Sequence, residues 1–96
     1  MDLGKRLSGL RKSKKASLRA VAQRCGCTGS YLSQLEKGEA RRPSLYILYA
    51  LADFYQFPSD TLIIEAEKIP KDVYWKIIHN PHYLAIIRNL NSPAAA

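Results

Sequence analysis

The sequence predicts an all-α protein, with five helices closing one core and a two-helix C-terminal extension after them. Three observations predict it. Apolar residues recur at three- and four-residue spacing, the period of helices that bury one face. Residues that cap helices stand where those stripes begin and end, with Ser17, Thr28 and Ser44 at starts and Gly26 and Gly38 at ends. The 96 residues suffice for one compact domain and a short appendage.

Residues 2–13 carry the first helix, with Leu3, Leu7 and Leu10 on one face and Lys5, Arg6, Arg11 and Lys12 on the others. The run Lys12–Lys15 ends it, and Ser17 caps a second helix whose apolar face is Leu18, Val21, Ala22 and Cys25. Gly26 closes that helix, because a tight exit needs a left-handed residue. Thr28 caps a third helix. Leu32 and Leu35 face inward there, which leaves Gly29, Ser30, Tyr31, Gln34 and Lys37 on or near the outward side.

A charged loop with Arg41 and Arg42 leads to Ser44, the cap of a fourth helix whose stripe is Leu45, Leu48, Leu51, Ala52 and Tyr55. The chain restarts at Phe57-Pro58-Ser59, and Leu62, Ile63 and Ala66 mark the fifth helix, which completes a domain over residues 1–66. The extension covers 67–91. Asp72 is placed to cap Val73–His79, and Asn80 with Pro81 at the first helical position to open the last helix. Tyr83, Ile86, Ile87 and Leu90 form one stripe on it, whereas Tyr74, Trp75, Ile77 and Ile78 make the preceding helix apolar nearly all round. Such a segment covers the domain's own core or meets a second copy. Residues 92–96 read as a disordered tail.

Fifteen Lys and Arg against eight Asp and Glu give a net charge of +7, which favours a polyanionic partner: DNA, RNA or an anionic membrane surface. No stretch approaches the ~20 apolar residues of a bilayer span, so a cytoplasmic protein without membrane contact is expected. Cys25 and Cys27, one residue apart, lack the spacing of zinc or redox pairs and read as free thiols. His79 and His82 lie on a distant segment, so neither a metal nor a cofactor is expected. The sequence holds no nucleophile and base pair, carboxylate dyad or phosphate loop, which argues against an enzyme.

Between residues 17 and 37 a helix, a tight glycine turn and a short polar-faced helix follow one another, as entry into a DNA major groove requires. Ala22 is small enough to let the two helices cross closely. The run Ser17-Leu-Arg-Ala-Val-Ala22, Gly26, Tyr31-Leu-Ser-Gln-Leu-Glu-Lys-Gly38, and Arg42-Pro-Ser-Leu45 followed by Leu48, Leu51-Ala52 and Leu62, resembles the phage repressor and Cro-like (XRE) helix-turn-helix family. The resemblance spans roughly residues 3–64.

It implies that the start of the third helix reads base edges through Gly29, Ser30, Tyr31 and Gln34 of double-stranded DNA. Gln34 would pair with adenine, Ser30 would make a short permissive contact, and Tyr31 would reach a thymine methyl or a phosphate. By the same resemblance Ser17, Arg19, Thr28, Lys37, Arg41 and Arg42 meet the sugar-phosphate backbone, and Arg11 pairs with Glu36 to fix the reading helix. Family members commonly bind two half-sites, so a homodimer through Tyr74, Trp75, Ile78, Tyr83, Ile86, Ile87 and Leu90 is expected, acting as a repressor. The alternative is an antitoxin-type or phage or plasmid maintenance regulator whose C-terminal helices hold a protein partner. Three positions depart from the family pattern: Ala20 stands where an acidic residue is common, Gln56 replaces a usual glycine and Phe54 a smaller residue.

Overall fold

The computed structural model describes residues 2–40 and 43–90. The chain folds into α1 (Leu3–Ser13), α2 (Leu18–Cys25), α3 (Gly29–Glu36), α4 (Leu45–Tyr55), α5 (Ser59–Glu65), α6 (Lys71–His79) and α7 (His82–Arg88). No strand occurs among the described residues. The predicted tail, 92–96, lies outside them.

Short polar side chains start the first four helices. Asp2, Ser17, Thr28 and Ser44 each accept the backbone N–H three residues on, at 3.0–3.2 Å, satisfying a donor that the helix itself leaves open. Asp2, which the periodicity counts as helical, is thus the cap of α1. At Ser17 the bond runs one way only, since Ala20 has no side chain to answer it.

The exits of α1 to α5 share one device. Lys15, Gly26, Gly38, Gln56 and Glu67 take positive φ values of 52° to 77°, and the residue after each donates its N–H to the carbonyl five positions back. This is the Schellman closure, which satisfies the last carbonyls of a helix. Only two of the five exits use glycine. At the other three a side chain stands in the left-handed region, at a cost of about 1–2 kcal/mol each. Gln56 offsets part of that cost by donating from Nε2 to the Asp53 carbonyl at 2.7 Å.

Each of α1 to α5 sends side chains into one core, centred on Leu7, Val21, Leu32, Leu48, Leu51, Leu62 and Ile63, all fully buried. Burial of one such residue contributes about 1.5–3 kcal/mol, which explains why short helices hold together. Gly4 sets the closest approach. A Cβ there would lie 2.5 Å from the Glu36 carbonyl oxygen and 2.9 Å from that of Leu35, so α1 crosses the end of α3 backbone to backbone.

The extension differs from its sequence reading at two helix starts. Asp72 does not cap α6. That helix begins two residues earlier than predicted, at Lys71, with Pro70 at the cap position, where its missing N–H costs nothing; Asp72 lies in the first turn, where its charge suits the helix dipole. Nor does Asn80 open α7: its Nδ2 donates back to the Lys76 carbonyl at 3.0 Å, and Pro81 stands before the helix rather than at its first position. Helices α6 and α7 bury no residue, so they do not cover the domain's core. Trp75 is 61% exposed.

Candidate nucleic-acid interface

The turn between α2 and α3 positions the candidate site. Gly26, at φ 76°, reverses the chain, and Ala22 is buried where the two helices meet. A Cβ on Gly29 would sit 3.8 Å from the Arg19 Cα, so the start of α3 rests directly on the start of α2. Leu32 and Leu35 turn into the core from α3. The opposite face carries Ser30, Gln34 and Lys37 exposed, beside exposed Ser17, Arg19 and Thr28.

Gly29 and Tyr31 are half-buried instead. Tyr31 packs against the core, and burial, with Cys27 alongside, pushes its phenol upward in pKa, so the ring serves partly as packing. Ser17 and Thr28 spend an oxygen lone pair on their helix caps, yet each hydroxyl keeps a proton to donate to an anion. Arg41 and Arg42 lie outside the described residues. Lys37 is the C-cap residue of α3.

Behind the exposed face, Arg11 grips Glu36 with a two-pronged contact: Nε to Oε2 at 2.8 Å and Nη2 to Oε1 at 3.0 Å. A third bond, Nη1 to the Ala16 carbonyl at 3.1 Å, ties in the loop that leads to α2. The side chains are only 17% and 7% exposed, and the bonds to Glu36 hold the guanidinium pKa above its ordinary value. Planar pairing of this kind fixes orientation as well as distance. Tyr55 lies close by, with its hydroxyl buried without a hydrogen-bond partner among the described residues; burial, and then the Glu36 charge, drives its pKa strongly upward.

Two features escape sequence reasoning. Tyr46, in the first turn of α4, is 72% exposed and lies against the α2–α3 turn, its ring carbon and hydroxyl 3.7 Å from where a Gly26 Cβ would be. Its signal, an exposed aromatic at the start of an otherwise apolar helix, is weak in sequence. Arg6 pairs with Glu65, 59 positions away, and no local pattern announces such a partner. Phe54, larger than the family's usual residue, is half-buried, stacks edge-on against Tyr55 at 5.2 Å and receives the Lys14 and Arg24 cations over its ring.

Among the described residues no His, Cys, Asp and Glu cluster could hold a metal ion. Cys25 is buried and Cys27 half-buried, both as free thiols whose pKa burial raises. No helix among them is long and apolar enough to cross a membrane.

Comparison with known proteins agrees with this geometry. The family model of the helix-turn-helix domain matches residues 2–63. No curated protein sequence matches the chain. Among solved structures, the P22 c2 repressor, crystallised with a synthetic operator, superposes with a TM-score of 0.62 at 28% identity, over 68% of this chain and 97% of its own. A chain of the SinR–SinI protein complex superposes with a TM-score of 0.60 at 25% identity, over 94% of this chain and 84% of its own, and so reaches beyond the five-helix domain. With a family match over residues 2–63, most of its length, the chain belongs to the helix-turn-helix domain family, as a DNA-binding regulator of the phage-repressor (XRE) type rather than an enzyme.

Proposed function

We propose that the protein is a repressor that binds double-stranded DNA sequence-specifically, occupying a palindromic operator as a homodimer. The observation that carries this reading is the exposed edge formed by Ser17, Arg19, Thr28, Ser30 and Gln34, on two helices that Gly26 and the Arg11–Glu36 pair hold in fixed relation. A major groove about 12 Å wide admits one helix, and α3 presents short polar side chains at its leading end. Gln34 reads adenine through its amide, with Ser30 and the Gly29 backbone beside it. Tyr31 offers the uncovered part of its ring to a thymine methyl or a phosphate.

Ser17, Thr28, Arg19 and Lys37 meet phosphates, and Arg41 and Arg42 extend that contact; the charge of +7 drives association by counterion release. Tyr46 borders the same strand. Dimerisation falls to Tyr74, Trp75, Ile78, Tyr83, Ile86, Ile87 and Leu90, whose exposed apolar surface calls for a cover. Repression follows from occupying a promoter, and the likeness to the P22 c2 repressor supports that sense.

A second reading is favoured by one observation. The superposition on a chain from a complex of two different proteins runs into the extension, and so supports a protein partner seated on α6 and α7, as an antitoxin-type or maintenance regulator would have. Selection of bound sequences from a randomised duplex pool at moderate salt tests the main reading. An enriched palindrome is expected. Tight, salt-sensitive binding with no enriched sequence would sink it.

A further inference from the structure

The junction between the five-helix domain and the extension is built unlike a flexible linker. Glu65, the last residue of α5, has a side chain only 2% exposed, yet it carries a full carboxylate. Arg6 of α1 satisfies it: Nε approaches both oxygens at 3.1 and 3.2 Å, and Nη2 donates to Oε2 at 2.6 Å. The guanidinium also lies 4.9 Å over the Phe57 ring, which fixes its plane. Beyond Glu65 the backbone stays tied. Glu67 takes φ 60° and donates to the Ile64 carbonyl at 2.9 Å, Lys68 donates to Ile63 at 3.0 Å, Pro70 is buried, and its carbonyl accepts from Tyr74 inside α6 at 2.9 Å.

We propose that Arg6 and Glu65 clamp this junction into a rigid elbow, making them positioning residues that set a single permitted spacing between half-sites. The second half of the statement rests on the dimeric operator reading; the first does not. Removing Arg6 leaves a nearly buried carboxylate without compensation, and the cheapest relief is for the last turn of α5 to swing its carboxylate out to water. That movement unseats Glu67 to Pro70 and frees the extension.

The chain's single tryptophan, Trp75 on α6, reports the first half directly. In the full-length wild type its anisotropy decay should show one correlation time, that of the whole particle. Arg6→Met should add a fast component, and Arg6→Lys, which keeps the charge but loses the fork, a smaller one. On duplexes carrying the selected half-sites, adding or removing one spacer base pair turns one half-site by about a tenth of a turn; wild type should lose about tenfold in affinity and Arg6→Met no more than about twofold. Affinity for an isolated half-site should not change. A fast Trp75 component already present in wild type, a decay indifferent to both substitutions, or a loosened Trp75 with spacer preference intact would each overturn the proposal. If wild type selects no paired half-sites, the operator reading fails instead, and the Trp75 decay alone then upholds or overturns the clamp.

Discussion

The five-helix domain and the extension are made of similarly apolar helices, yet they reach opposite ends. In α1 to α5 every apolar stripe meets another, and all five exits close with the same left-handed turn. In α6 and α7 no side chain is buried, no side chain caps a helix start, and the large apolar residues from Val73 to Leu90 stay in contact with water. The contrast teaches that local helix-forming pattern and a partner for the buried face are separate requirements. The first part of the chain meets both by itself, whereas the second meets only the first and keeps its apolar surface exposed.

That contrast can be broken most directly by truncating one residue of each region. Leu51→Ala should destabilise the protein by about 2–5 kcal/mol in urea melts, because a fully buried leucine leaves a cavity. Ile78→Ala, below the concentration of self-association, should cost less than about 0.5 kcal/mol. Similar losses at both positions would mean that the extension is core after all. Sedimentation of Ile87→Asp should yield monomer where wild type is dimeric, since a carboxylate cannot be covered by an apolar partner surface.

The next effect sharpens what holds the reading helix. Glu36→Ala leaves Arg11 without its partner and should cost about 3 kcal/mol of stability, together with part of the DNA affinity, even though neither side chain faces the groove. Unchanged DNA binding in a folded Glu36→Ala protein would show that α3 needs no such fixing. Smaller still, Gln34→Ala should remove about 1–3 kcal/mol of discrimination at one base position per half-site while stability stays constant. Retained preference at every position would move the reading role elsewhere on α3. The smallest change runs in the favourable direction: Lys15→Gly should stabilise by about 1 kcal/mol, visible as a higher melting temperature.

Much of the domain was legible in the sequence because the signals are short-range. Ser17, Thr28 and Ser44 announce helix starts within three residues, and Gly26 and Gly38 announce exits by residue type. Lys15, Gln56 and Glu67 serve the same purpose without that signal, since their conformation is imposed by how the following segment packs. Gly4 needs knowledge of where α1 crosses α3, and Arg6 with Glu65 needs knowledge of the whole fold. Asp72 misled for the opposite reason: a good capping residue stood one position inside a helix that Pro70 had already begun. The exposed edge of the candidate site was readable from the α3 stripe, except that periodicity alone could not tell that Tyr31 would be half-covered.

The non-glycine exits at Lys15 and Gln56 also bear on how freely this regulator could change its target. They lie on different helices, at the ends of α1 and α4, and neither belongs to the face that would meet DNA. Glycine at both should raise stability roughly additively, which creates headroom above the threshold at which a small domain unfolds. A laboratory lineage started from that background could accept costly substitutions at the half-buried Tyr31 that the natural chain tolerates less well, so the two strained turns mark where altered operator preference becomes reachable.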